Sequence, residues 1–213
     1  MQKIKAALFD LDGVLVDTAK YHYLAWKRLA RELGFEFTKE DNEALKGVSR
    51  MKSLDILLSV GGLTFDEETK KQLATKKNAW YVEYLEGIDE SELLKNVENT
   101  LKHLRACGIR TAIGSASKNT PLILKKTGLD QYFDAVVDGN DVSKAKPDPE
   151  VFLLGAQRLG CAPKECMVFE DSLAGIQAAN TAGMFSIYLG STDAGSNADM
   201  VIRDMTEFHF PFE

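Results

Sequence analysis

The sequence predicts an α/β fold: a parallel sheet with helices on both faces, and an all-helical block inserted after the first strand. Three observations predict it. From about residue 92 onward, short apolar runs alternate with helical periodicity, and that alternation implies a parallel sheet covered on both sides. Between residue 16 and about residue 92 only helical signals occur. The 213 residues are 45% hydrophobic and 27% charged, an ordinary globular mix, long enough to bury a core without disulfide or metal staples.

Residues 4–9 are a short apolar run ended by Asp10-Leu11-Asp12-Gly13, which suits a buried parallel strand better than a helix. From about residue 19 to 33 the period changes: Trp26, Leu29, Ala30 and Leu33 follow the i, i+3, i+4, i+7 template, and Gly34 stops the helix. Further helical signals cover 39–46, 53–60 and 66–86. Val97, Leu101 and Leu104 mark a helix closed by Gly108, with a strand at 109–114. A helix from about residue 119 and a strand at 135–137 follow. The next helix spans 149–159, with Asp148 as N-cap and Pro149 at N1. A strand at 166–169, a helix at 172–182 and a strand at 185–189 complete the alternation. The apolar stretch Phe208-His209-Phe210-Pro211-Phe212 is expected to dock on the core.

Lys plus Arg number 26 against 32 Asp plus Glu, a formal charge of −6. Such a chain has no global attraction for nucleic acid or an anionic membrane, so an anionic ligand needs a local pocket. Neither nucleic acid nor membrane is expected as a partner. Cys107, Cys161 and Cys166 have no zinc-spaced companions and read as buried free thiols in a reducing compartment. Asp10 and Asp12 break the first apolar run too early for a signal peptide, and no run approaches a membrane span. A cytoplasmic protein is expected, and a monomer, since no long exposed apolar segment demands a partner.

In an open parallel sheet, ligands bind beyond the carboxyl ends of the strands. Four strand ends here carry matching polar residues: Asp10 and Asp12, then Ser115-Ala116-Ser117-Lys118-Asn119, then Lys146-Pro147, then Glu170-Asp171. Taken singly, each is an ordinary turn or helix cap. Their conjunction, in order on alternating strands, points to magnesium-assisted phosphoryl transfer. Asp10, Glu170 and Asp171 are hard oxygen ligands of the kind Mg²⁺ takes. A carboxylate can also act as nucleophile, and Asp12 beside it suits a general acid and base. Ser115 and the N–H groups after it sit at a helix N-terminus, where phosphate is favoured, and Lys146 offers a point charge to its oxygens.

Asp10-Leu11-Asp12-Gly13-Val14, Ser115, Lys146-Pro147 and Glu170-Asp171 resemble the four motifs of the haloacid dehalogenase superfamily of phosphotransferases. The resemblance covers essentially the whole chain. It implies a Rossmann-like core formed by residues 1–15 and 92–213, with residues 16–91 as a mobile helical cap domain. It further implies Asp10 as nucleophile, Asp12 as acid/base, and Ser115 and Lys146 as grips on the transferring phosphate. Mg²⁺ would be held by Asp10, the Asp12 main-chain carbonyl and Asp171, with Glu170 in or beside the shell. The Pro-Gly that often precedes the first core helix of relatives is Asn96-Val97 here.

The helical block carries the substrate signals. On the helix at 66–86, Leu73, Trp80 and Tyr84 form an apolar stripe, and Lys77 falls in its middle. An unpartnered buried lysine is costly; either its stem covers apolar surface with the ammonium in water, or it contacts substrate. The loop Leu45-Lys46-Gly47-Val48-Ser49-Arg50 is either an ordinary approach to a helix or a phosphate clamp, in which Gly47 admits a ligand and Arg50 grips it bidentately. His22, one turn before Trp26, is either a surface residue or a gate near Asp12.

Together, Thr18, His22, Trp26, the loop through Gly47, Val48, Ser49 and Arg50, Ser53 and Lys77 resemble the β-phosphoglucomutase branch of that superfamily, as does the segment 115–119. By that resemblance Arg50, Ser117, Lys118 and Asn119 would hold the distal phosphate of a hexose bisphosphate. The implied reaction interconverts β-D-glucose 1-phosphate and D-glucose 6-phosphate through an aspartyl-phosphate and glucose 1,6-bisphosphate. A sugar-phosphate phosphatase sharing the same nucleophile is the alternative. A non-catalytic sugar-phosphate sensor is disfavoured by the presence of both Asp10 and Asp12.

Overall fold

The first strand, β1 (Ala6–Phe9), is central: it pairs in parallel with β2 (Arg110–Gly114) on one side and β4 (Cys166–Glu170) on the other. The computed structural model of the chain describes residues 4–191 and 197–210. With β3 (Ala135–Val137), β5 (Phe185–Leu189) and β6 (Met200–Ile202), the sheet has six parallel strands in the order β3-β2-β1-β4-β5-β6. The order reverses between β1 and β4, which opens a crevice beyond their carboxyl ends.

Period-two alternation assigns the strand residues to two apolar layers. Ala7, Phe9, Met167 and Phe169 face the layer that holds α5 (Val97–Ala106) and α6 (Thr120–Thr127), and Phe9 stacks on Phe169 at 4.5 Å. Ala6, Leu8, Cys166 and Val168 face α7 (Glu150–Arg158) and α8 (Leu173–Thr181). Both faces of β1 and β4 are therefore buried, which explains their apolar runs, Ala6–Phe9 and the first four residues of β4. Phe208 packs edge-on against Phe169 at 4.8 Å; Pro211 and Phe212 lie outside the described residues.

Between β1 and α5 come four helices: α1 (Ala19–Glu32), α2 (Lys39–Glu43), α3 (Arg50–Val60) and α4 (Glu67–Leu85). Two chain crossings tie them to the sheet domain, where Asp17 N–H donates to Glu92 O at 2.8 Å and Leu94 N–H donates to Leu15 O at 2.9 Å. Asn96, the one non-glycine residue with positive φ among the described residues, sits left-handed at +64° just before α5. Asparagine tolerates that conformation better than most residues, so Asn96 can make this turn into α5.

The structure corrects several local expectations. α3 begins at Arg50, because the Ser49 hydroxyl caps it by accepting from Lys52 N–H at 3.3 Å. α2 stops at Glu43. Pro149, not Asp148, is the N-cap of α7, and the Asp148 carboxylate accepts from Glu150 N–H at 3.1 Å. β6 has three residues, too few to leave a periodic signal. On α4 the buried line is Ala74, Lys77, Tyr81 and Leu85, flanked by Trp80, while Leu73 and Tyr84 are only partly buried. Cys161 and Cys166 are buried free thiols as expected, but Cys107, just past α5, is exposed. Among the described residues no helix is long and apolar enough to cross a membrane.

Candidate active site

The carboxyl ends of β1, β2 and β4 bring the polar residues of the core to one floor. Asp10 follows β1, and its N–H continues the ladder to Phe169 O at 3.0 Å. Lys146, buried over the Phe152 ring, donates to Asp10 Oδ1 and Glu170 Oε1, each at 2.6 Å. The second Glu170 oxygen accepts from the N–H and hydroxyl of Ser172, each at 2.8 Å. Both Glu170 oxygens are thus taken by protein donors, and the residue lies beneath Lys146 rather than on the cavity wall. Gly13 has φ +85°, and a Cβ there would meet Asp171 Oδ2 at 2.3 Å, so only glycine lets this turn approach that carboxylate. Ser115 is 1% exposed; its Oγ accepts from Ser117 N–H at 3.1 Å, and its hydroxyl proton has no protein acceptor among the described residues.

The helices supply the roof. Asp12 Oδ1 accepts from the hydroxyls of Thr18, over a short contact, and Tyr81, at 3.5 Å. The His22 ring stacks on Tyr81 at 3.8 Å, with Nε2 3.9 Å from Asp12 Oδ1. Lys77 Nζ donates to His22 Nδ1 at 2.8 Å and lies over the rings of Trp26 and Tyr81, 4.3 and 5.0 Å from their centroids. With the Lys77 ammonium as donor, the His22 proton is assigned to Nε2, which faces Asp12.

Floor and roof enclose a cavity of about 310 Å³, within the range of small-ligand sites. Asp10, Asp12, Ser115, Lys146 and Asp171 line it from below, with Ala116, Ser117, Lys118 and Asn119 at one side. His22, Trp26, Gly47, Val48, Ser49, Arg50, Ser53 and Lys77 line it from the helical side. Two expected residues do not reach it. Thr18 is fully buried and spends its hydroxyl on Asp12; Glu170 lies beneath, as described. Gly47 does line the cavity, but its close approach is to the core: a Cβ there would meet Ser172 Oγ at 2.3 Å.

Several lining or contacting groups escaped the sequence reading. Tyr81 stands four residues after Lys77, a helical spacing that could have found it. Lys46 is not one of these, since it belongs to the loop that the sequence singles out through Arg50; it does line the cavity, pairs with Glu43 at 2.9 Å and reaches Asp171 at 4.0 Å. Gly139, Val142, Ser143 and Lys144 line the cavity from the loop before Lys146, and nothing in their sequence marks them.

The electrostatics follow from burial and crowding. Burial, reinforced by Glu170 and opposed by Lys146, raises the Asp10 carboxyl to about 7. Burial raises Asp12 against the pull of Thr18 and Lys77, and burial with Glu170 and Asp10 raises Asp171 well above the carboxylate range. Lys146 is pushed up: burial opposes its charge, but Asp10 and Glu170 together outweigh it. His22 and Lys77 are both pushed well down, first by burial and then by nearby cations, including Arg50 in each case. The His22 side chain keeps 30% of its surface exposed, so its burial is partial. Arg50 has no carboxylate within ion-pair distance among the described residues, which suits it to an incoming anion.

Among the described residues no three His, Cys, Asp or Glu side chains are grouped closely enough to hold a metal ion by themselves. Asp10 and Asp171 still fit a magnesium site, because Mg²⁺ commonly takes one or two carboxylates and fills its octahedron with water and phosphate oxygens. Burial first, and like-charge crowding after it, lifts both carboxyls, and a divalent cation relieves that crowding.

A sequence profile for the haloacid dehalogenase-like hydrolases matches residues 4–183, and the chain belongs to that family. It is 37% identical over 206 residues to the Beta-phosphoglucomutase of Bacillus subtilis (strain 168), a match spanning 96% of this chain and 91% of that protein. It is 32% identical over 186 residues to the Fructose-1-phosphate phosphatase YqaB of Escherichia coli (strain K12), spanning 87% of this chain and 96% of that one. The crystal structure of beta-phosphoglucomutase from Clostridium difficile superposes with a TM-score of 0.93 at 39% identity, covering 97% and 94% of the two chains.

Proposed function

We propose that the protein is a magnesium-dependent mutase interconverting β-D-glucose 1-phosphate and D-glucose 6-phosphate, with residues 16–91 acting as a cap over a core of residues 1–15 and 92–213. Lys77 carries the reading. It is 2% exposed and donates to His22 beside Asp12, whereas burying a cation in a helix core is otherwise costly. The likeness to the Bacillus and Clostridium proteins supports the same reading.

In this mechanism Asp10, phosphorylated, donates its phosphoryl group to the sugar 6-hydroxyl. The hydroxyl proton passes to Asp12, whose carboxyl is raised above its ordinary value by burial, which favours its holding the proton it takes. Thr18 and Tyr81 both engage Asp12 Oδ1, so Oδ2 remains for the substrate. The bisphosphate then turns over, and its C1 phosphoryl group returns to Asp10 as Asp12 gives the proton back to the departing sugar oxygen. Lys146 Nζ holds Asp10 in place, and the Ser115 hydroxyl donates to a phosphate oxygen. Asp10 and Asp171 would hold Mg²⁺, which when bound supplies the positive charge that lets carboxylate and phosphate approach. Glu170 orients Lys146 instead of ligating. Arg50, Ser117, Lys118 and Asn119 hold the distal phosphate, and Trp26, Val48, Ser49 and Ser53 shape the sugar pocket. Helices over the cavity exclude water from the phosphorylated aspartate between half-reactions.

The E. coli relative supports a second reading, a sugar-phosphate phosphatase that releases the same aspartyl-phosphate to water. The test is to phosphorylate the protein with glucose 1,6-bisphosphate and Mg²⁺ and to follow the mass of the peptide bearing Asp10. A mutase retains the added phosphoryl group until β-glucose 1-phosphate is supplied and then passes it to sugar. Loss to water at the same rate with and without sugar phosphate overturns the mutase reading.

A further inference from the structure

Asn78 follows Lys77 on α4 and is half-buried. Its Oδ1 accepts from Asn119 Nδ2 at 3.0 Å, across the gap between the helical block and the core. Asn78 does not line the cavity, whereas Asn119 does; Asn78 therefore reaches substrate space only through Asn119. On the Asn119 side the backbone is already fixed, since Asn119 N–H donates to Ser117 Oγ at 3.2 Å and the Thr120 hydroxyl donates to Ser117 O at 2.9 Å. What those bonds leave undetermined is the direction of the Asn119 amide, a broad two-fold rotor.

We propose that Asn78 is a positioning residue for Asn119, coupling closure of the helical block to assembly of the distal-phosphate subsite. The inference rests on the reading above, in which Asn119 grips that phosphate. An amide NH₂ carries two donors. With one committed to Asn78, the rotor is fixed and the other is left for a phosphate oxygen. Because Asn78 belongs to the opposite unit, this orientation exists only while the two units are together. Closure then improves phosphate binding, and by reciprocity a bound phosphate favours closure by the same factor. A neutral hydrogen bond sets that factor at roughly 2- to 10-fold. Lys77 and its neighbour Asn78 thereby tie one helix to both ends of the substrate, Lys77 toward Asp12 and Asn78 toward the distal phosphate.

Asn78→Leu, which keeps the bulk and removes the amide, and Asn78→Asp, which keeps the acceptor, are the informative variants. Amide hydrogen exchange is measured in the Mg²⁺-loaded protein without sugar phosphate. In parallel, KM for β-glucose 1-phosphate and the share of phosphoryl groups lost to water are measured. Asn78→Leu removes a bond between the two units, so the units should separate more often and uncover 115–119. That segment should then exchange about 2- to 10-fold faster with strand β5 unchanged; KM should rise by a similar factor and more phosphate be lost per turnover. Asn78→Asp should keep wild-type exchange while raising KM, since its charge repels the phosphate. Wild-type exchange in Asn78→Leu overturns the positioning role whatever the reaction is, and so does a rise spread equally into β5. Localised faster exchange in a protein that shows no mutase activity supports the coupling and overturns the mutase reading.

Discussion

Replacing Lys77 with methionine should make the protein more stable and less active. The ammonium gains one hydrogen bond to His22 at 2.8 Å and two cation–π contacts, over Trp26 and Tyr81. These are together worth about 2–4 kcal/mol. Against them stands the desolvation of a side chain that is 2% exposed, several kcal/mol for an ion. The strongly lowered Lys77 pKa, caused first by burial and then by Arg50, means the costs win. Methionine keeps the stem packed between the rings without the charge, so a gain of about 1–3 kcal/mol is expected. For a chain of this size that raises Tm by about 2–4 °C per kcal/mol. Loss of a charge-assisted bond to substrate, worth about 1.5–3 kcal/mol, should lower mutase kcat/KM by roughly 10- to 150-fold. Thermal unfolding is compared with parallel assays of the mutase reaction and of hydrolysis of a small aryl phosphate, which does not reach the helical roof. Lower stability with equal losses in both reactions would refute the reasoning and return Lys77 to a packing role.

Asp10→Asn should abolish both turnover and the phosphoenzyme seen by mass; surviving activity removes Asp10 as nucleophile. The same variant isolates a pH effect. Because burial raises the Asp10 carboxyl from 3.8 to about 7, the folded state holds that proton longer. Its contribution is complete below about pH 4 and is lost as pH rises through about 7. In metal-free buffer the wild-type-minus-Asn stability difference should therefore fall with rising pH, by at most about 4 kcal/mol, and a flat difference in urea titrations contradicts it. Asn96→Val should cost about 2–3 kcal/mol, from the left-handed backbone and the lost bond to Met205 O, while Asn96→Gly costs less; equal losses exclude backbone strain. Chelation of divalent cations should stop turnover and Mg²⁺ should restore it, and Asp171→Asn should raise the Mg²⁺ concentration needed at least tenfold.

Much of the site was legible because its core residues stand at the ends of consecutive strands, where sequence order becomes spatial order. Asp10, Asp12, Ser115, Lys146 and Asp171 needed only the strand pattern to be brought together. Lys77 was legible as a cation on an apolar line, although that line runs through Ala74, Tyr81 and Leu85 rather than Leu73 and Tyr84. Thr18 was expected to touch substrate, and Glu170 was left in or beside the metal shell, because nearness in sequence to a catalytic turn does not say which way a side chain points. Both turn inward and hold Asp12 and Lys146. Gly47 was read as a place for ligand approach, but its crowding is with Ser172, a partner 125 positions away by the numbering. Asn78 acts through a contact made across the two units, and no local pattern records such a pair, whereas Tyr81 was within reach of the helical spacing from Lys77.

The central claim is that the phosphoryl group stays with sugar and aspartate and does not pass to water. The most direct test is a coupled assay for glucose 6-phosphate on purified protein with Mg²⁺, β-glucose 1-phosphate and a trace of glucose 1,6-bisphosphate, with free phosphate followed in parallel. Glucose 6-phosphate formed without matching phosphate release is the predicted result. Phosphate released without glucose 6-phosphate would contradict the account and make this roof of helices the lid of a phosphatase.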